Sequence, residues 1–268
     1  MPQMIIPIKH LPGQHDQSSH GSWARGSGSV DERFTKAFPG TEVNSVKYFP
    51  TFEEWVSLGG NLDSIRKPTG AEIQTAKELL LEAKALVLAA GITPPPIKDY
   101  DLYYFPGSGG VASAQRGESR DKDGVVLEYV SKISLNMAEI NSDRTKRNRR
   151  YGSEGVAEGR PQNQGNRTAA SALVHEMGHT LHHPLQNEGA MLWDLWEDNY
   201  EESASFSPEF VSRYGEFNHK EHFAEWVTAI VYDWDGLSER KETNSYAMMS
   251  LALNLDLDDI EWGHQTRS

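Results

Sequence analysis

Two histidines four residues apart with a glutamate beside the first, His175-Glu176-Met177-Gly178-His179, carry the strongest chemical signal in the chain. On a helix, residues i and i+4 lie one above the other, so both imidazoles can offer a nitrogen to one ion. Glu176 sits on a neighbouring line of that surface, placed to reach a water activated by the ion while staying off the ion itself. Zinc suits such a site. It lowers the pKa of a water it holds to about 7, and a carboxylate can take the proton during attack and pass it to a leaving amine. The flanking residues Ala169, Ala170, Ala172, Leu173, Val174, Met177, Gly178 and Leu181 are small or apolar. The helix expected over 168–183 is therefore apolar nearly all round and belongs inside. Polar groups buried there need partners. A pair of histidines satisfied by the core is the plain alternative.

A catalytic zinc takes three protein ligands and keeps one position open. The continuation that would supply a third histidine downstream is absent, with His182 and Leu185 at the positions it needs. Pro184 is expected to end the helix, leaving His182 and His183 at a frayed end and unsuited as ligands. A second helix, opening His219-Lys220-Glu221-His222-Phe223-Ala224-Glu225-Trp226, is the better source. Glu221 and Glu225 are again i and i+4 and share a face, opposite Phe223, Trp226, Val227, Ile230, Val231 and Trp234. Ala224, Thr228 and Ala229 beside the carboxylates are small enough to admit a close neighbour. Alone, this is a solvated acidic face on an amphipathic helix. Beside an unfilled two-histidine site, it reads as the origin of the missing ligand.

The scaffold is bounded by composition. The 268 residues are 37% hydrophobic and 24% charged, and 7 Trp, 10 Tyr and 9 Phe supply one sizeable core. With 0 Cys, disulfides and thiolate sites are excluded, so any metal must use histidine and carboxylate. A net charge of −13 argues against nucleic acid and anionic membranes as partners. The one basic cluster, Arg144-Lys146-Arg147-Arg149-Arg150, reads as a solvated loop. No apolar run is long enough to span a bilayer. Met4-Ile5-Ile6-Pro7-Ile8 is too short for a secretory leader and lacks a cationic lead. The expectation is a chain that stays in the cytoplasm where it is made, or leaves by a route that needs no such signal.

Residues 11–30 are rich in Gly, Ser, Gln, His and Pro, and a flexible arm is expected over 1–40 ahead of a folded domain over 41–268. His10, His15 and His20 are evenly spaced within it and read as an unstructured tract. A capped helical turn is predicted at 51–55, and a long scaffold helix over 71–90, stopped by Gly91 and Pro94-Pro95-Pro96. Strands are predicted over 100–105 and 125–140. Residues 141–167 form a loop that either borders a substrate cleft or has no order of its own.

Together, the two motifs resemble the gluzincin metallopeptidases, in particular the family of the anthrax lethal factor catalytic domain. That family joins the HExxH helix to a later helix of the form Glu-x-Phe-Ala-Glu, matched here by Glu221-His222-Phe223-Ala224-Glu225. The resemblance covers 168–232 and implies an α+β zincin-like domain, a mixed sheet over the active-site helix, with zinc as cofactor. It makes Glu221 the third ligand, beside His175 and His179, and Glu225 a supporting residue that orients a ligating histidine. It also implies an oxyanion donor seven residues before the ligand glutamate, which is Tyr214. The implied activity is a zinc endopeptidase with Glu176 as general base, acting on a peptide or protein that pairs with the 133–138 strand as an edge. The arm Lys9-His10-Leu11-Pro12-Gly13-Gln14-His15-Asp16-Gln17-Ser18-Ser19-His20-Gly21 is similar to a tract of tailed-phage head proteins and linked toxins. That similarity implies association with a phage particle or a toxin. The rivals are a virion protein holding zinc for structure only and a zinc amidase acting on non-protein peptides.

Overall fold

The computed structural model describes residues 27–57, 59–60, 62–93, 97–106, 110–120, 122, 126–141, 169–187, 191–205, 207–212, 214–232, 237 and 240–255. The tract with His10, His15 and His20, the basic cluster at 144–150 and nearly all of the 141–167 loop lie outside these residues.

The chain builds a mixed α+β structure around a four-stranded sheet. Strands β1 (Glu42–Ser45), β2 (Ile97–Tyr103), β3 (Ala112–Arg120) and β4 (Val126–Asn136) are ordered β1-β2-β4-β3. The first three in that order run parallel, and β3 closes the sheet antiparallel to β4. Tyr100 and Leu102 of β2 register with Ile133 and Leu135 of β4, and all four are fully buried. A strand covered on both faces has no polar side to alternate with, as parallel pairs usually show.

Helix α1 (Val30–Ala37) starts at Ser29 with a reciprocal cap to Glu32. Phe34 and Phe38 stack at 4.7 Å and meet Tyr100 edge-on, while Asp31 takes Lys77 from the next long helix. The arm expected over 1–40 therefore gives way to core-packed structure by Val30, because this short stretch carries two phenylalanines that the sheet covers. After α2 (Phe52–Ser57) comes α3 (Gly70–Ala89), capped by Thr69 and Glu72. Gly91 ends α3 at φ +78, with Ile92 N–H on the Val87 carbonyl and Gly91 N–H on that of Leu88, a left-handed stop that glycine adopts without strain.

The strand expected over 125–140 stops at Asn136. Its Oδ1 accepts from Ala138 N at 3.2 Å and Phe105 N at 3.0 Å, so the side chain caps the one-turn helix α4 (Met137–Ile140) instead of extending the ladder. Helix α5 (Ala169–Asn187) follows, then α6 (Met191–Glu202), α7 (His219–Tyr232) and α8 (Asn244–Leu253). Helix α5 packs against α3, β3, β4 and α7. It does not end at Pro184. It runs on to Asn187 with His182 and His183 buried, so tertiary packing outweighs the hydrogen bond that proline cannot donate. No helix among the described residues is long and apolar enough to cross a membrane.

Candidate metal centre

The centre is built where α5 and α7 cross most closely. A Cβ on Gly178 would fall 2.9 Å from the Cα of Ala224, so only glycine allows this approach. Asn218 fixes the start of α7, its Oδ1 accepting from the backbone N–H of Lys220 and of Glu221 at 2.9 and 3.0 Å. Glu221 thus stands in the first turn, where the helix end favours a carboxylate.

His175 Nε2 lies 2.9 Å from Glu221 Oε2 and 3.2 Å from His179 Nε2, and His179 Nε2 lies 3.3 Å from the same carboxylate oxygen. Ligand atoms held tetrahedrally by zinc at about 2.0–2.1 Å are about 3.3 Å apart. The triangle is therefore close to the size that zinc requires. The chemistry of the donors agrees. His175 Nδ1 is 2.7 Å from Glu225 Oε1, so that nitrogen carries the proton and leaves Nε2 as a bare lone pair. Three acceptors then converge on one point, an arrangement that repels itself unless a cation lies between them. Burial opposes ionisation of Glu221, but the imidazoles of His175 and His179 hold its carboxyl below the usual carboxylate range. His175, His179 and Glu221 form the one group of potential metal ligands among the described residues.

Glu225, 1% exposed, stands behind His175 and not in the triangle. Glu176 is also buried and outside it. Its charge reaches the end of β2, where burial and then the charges of Tyr48, Glu54, Glu139 and Glu176 push the Tyr103 phenol up to about 12. Tyr214, in the turn before α7, lies with its ring 5.6 Å from that of His175. Its neighbour Gly215 is packed against the Ser212 carbonyl and His222, with no room to spare.

No known protein family, curated protein or solved structure matches the chain.

The structure brings His175, His179 and Glu221 into one group, with Glu225 and Tyr214 against His175. It corrects two other expectations. His182 and His183 are no part of the ligand group, but they are not frayed. His182 places Nε2 3.1 Å from His179 Nδ1, and burial drives its pKa down to about 2. His183 faces Ser131 Oγ at 3.3 Å. The signal for His182 was its i+3 spacing from His179, which puts both on one helix face. Residues 133–138 also form no edge. β4 is flanked by β2 and β3, and 137–138 belong to α4. The outer strand beside α5 is β3, whose Ala-Ser-Ala-Gln opening alternates but with apolar residues too small to mark a strand in sequence.

Proposed function

We propose that this chain is a zinc-dependent peptidase of the zincin type, in which His175, His179 and Glu221 hold the ion. The observation that carries this is the convergence of three lone pairs within 2.9–3.3 Å, with the buried Glu176 following His175 in the chain and taking no part in the triangle. A site that used zinc for structure alone would have no role for Glu176. Zinc, when bound, polarises a scissile carbonyl and makes water a nucleophile near neutral pH. Glu176 takes the proton of the attacking water and delivers it to the leaving amine. Tyr214 donates its phenol to the oxyanion that develops. Glu225 holds His175 in the tautomer and orientation that present Nε2. The substrate is a peptide in extended form, lying along the outer side of β3, the edge strand packed on α5.

The test compares wild type with Glu176→Gln for metal content and for cleavage of a broad peptide mixture. Both are expected to hold one zinc per chain, with cleavage reduced by about 10²–10⁴-fold in the variant. Equal cleavage would remove Glu176 as the base. Glu221→Ala should lose zinc, whereas Glu225→Ala should weaken its binding by about 10–100-fold. The reverse order would exchange the roles of the two carboxylates.

A further inference from the structure

We propose that His182 is a positioning residue for the metal centre, accepting the Nδ1 proton of His179 and so fixing the tautomer in which His179 presents Nε2. The inference rests on the zinc reading above. An imidazole that binds an ion through Nε2 keeps its proton on Nδ1, and that proton needs an acceptor. For His179 the atom within reach is His182 Nε2, at 3.1 Å. His182 must then carry its own proton on Nδ1, a buried atom with no hydrogen-bond partner among the described residues.

That orphan separates this role from space-filling. A ring placed only to fill the core gains nothing from a buried, unpaired N–H, which bears the full cost of losing its water. A leucine there would avoid that cost. The one nitrogen of His182 that is satisfied is the one facing the ligand. Its neighbours hold the ring plane: Trp193 stacks on it at 5.0 Å and 27°, and Phe223 meets it edge-on at 5.9 Å and 80°. Trp193 is itself anchored, donating Nε1–H to Glu197 at 2.6 Å.

The support behind the two ligating histidines is therefore unequal. His175 is backed by a carboxylate and His179 by an uncharged ring. A carboxylate between Trp193 and Phe223 would be buried against aromatic faces at high cost. Imidazole orients His179 without adding a further negative charge, which leaves the ion more electron-poor than two carboxylate-backed histidines would.

Zinc affinity, measured in the full chain by competition with a chromophoric chelator, tests the proposal through His182→Phe and His182→Gln. Phenylalanine keeps the stacking and removes the acceptor, so zinc should bind about 10–100-fold more weakly. Glutamine offers a carbonyl oxygen and should recover most of that loss, with the cobalt-substituted spectrum returning to that of wild type. A His182→Phe protein that unfolds like wild type without metal and binds zinc equally well would overturn the proposal. So would a His182→Gln protein as weak as His182→Phe. Independently of any variant, long-range 15N spectra of the zinc-loaded wild type should show His182 protonated on Nδ1, and protonation on Nε2 would overturn it. A wild-type chain that binds no zinc would defeat the zinc reading itself, and the wild-type titration tells that failure from the others.

Discussion

Tyr214 is the residue whose role depends most on its surroundings. Its ring lies 5.6 Å from that of His175 and 6.3 Å from Phe217, and a main-chain bond from Phe217 N–H to the Tyr214 carbonyl closes the turn that carries it. Removing only the hydroxyl leaves that packing intact. Tyr214→Phe is therefore expected to lower kcat by about 10²–10³-fold while zinc content and melting temperature stay at wild-type values. A parallel fall in zinc affinity would make Tyr214 a structural neighbour of His175 and no oxyanion donor. At this scale much was legible in the sequence. The pairing of His175 with His179 and of Glu221 with Glu225 follows from i, i+4 spacing, a local rule of helix geometry, whereas the division of roles between the two glutamates came from the family resemblance alone. Asn218 carries no chemical signal in the sequence, being an ordinary cap, and His182 is masked there by Pro184, which marks a helix end that the fold does not use.

Elements meet at Gly178. An added methyl there would press on Ala224 Cα at 2.9 Å and on Val227 Cβ at 3.2 Å, and main chain cannot turn aside. Gly178→Ala should part α5 from α7 and cost about 1–3 kcal/mol, read as a lower melting temperature. Because Glu221 rides on α7, zinc affinity should fall with it. Unchanged zinc affinity in a destabilised variant would show that the ligand helices adjust independently of this contact. A second element-scale test lies at the start of α3. Arg66 forms a two-armed pair with Glu72, at 2.7 and 2.8 Å, and also lies 3.6 Å over the Tyr104 ring. The hydrogen bonds from Arg66 bring the Glu72 pKa down to about 2 from 4.5. A carboxyl depressed in the folded state binds fewer protons there than in the unfolded chain. Its stabilisation is complete above pH 4.5 and is lost as pH falls towards 2. Glu72→Gln should flatten the dependence of the urea midpoint on pH within that window, and an unaltered slope would place the acid sensitivity elsewhere. The α3 helix was readable from its stripe, cap and stop. Helix α6 carries a legible stripe, Leu192, Trp193, Trp196 and Tyr200, whereas α8 is apolar on nearly every side and has no period to read, and β3 gains its place through backbone pairing with β4.

For the molecule as a whole, the centre sits on a core that does not depend on it. Leu173, Val174 and Met177 of α5 pack with Phe223, Trp226 and Ile230 of α7, all at most 1% exposed. Chelation of zinc should therefore lower the unfolding midpoint without abolishing the cooperative transition. Free zinc at a hundred times its Kd would restore about 2.7 kcal/mol. A metal-free chain with no transition would mean instead that the ion holds the helices together. The α+β class was implied by the family resemblance and agrees with the mixed sheet and helices found, but strand order was not legible, because it is set by pairings between distant residues that no local pattern records.

His175 and Glu221 are 46 positions apart. A ribosome adds about 5–20 residues per second, so a chain under synthesis exposes both imidazoles seconds before the third ligand emerges. Until α7 has emerged and docked through Gly178, the growing polypeptide carries the two imidazoles without the carboxylate that completes the triangle. Synthesis order thus withholds the full ligand group until most of the described helices have emerged.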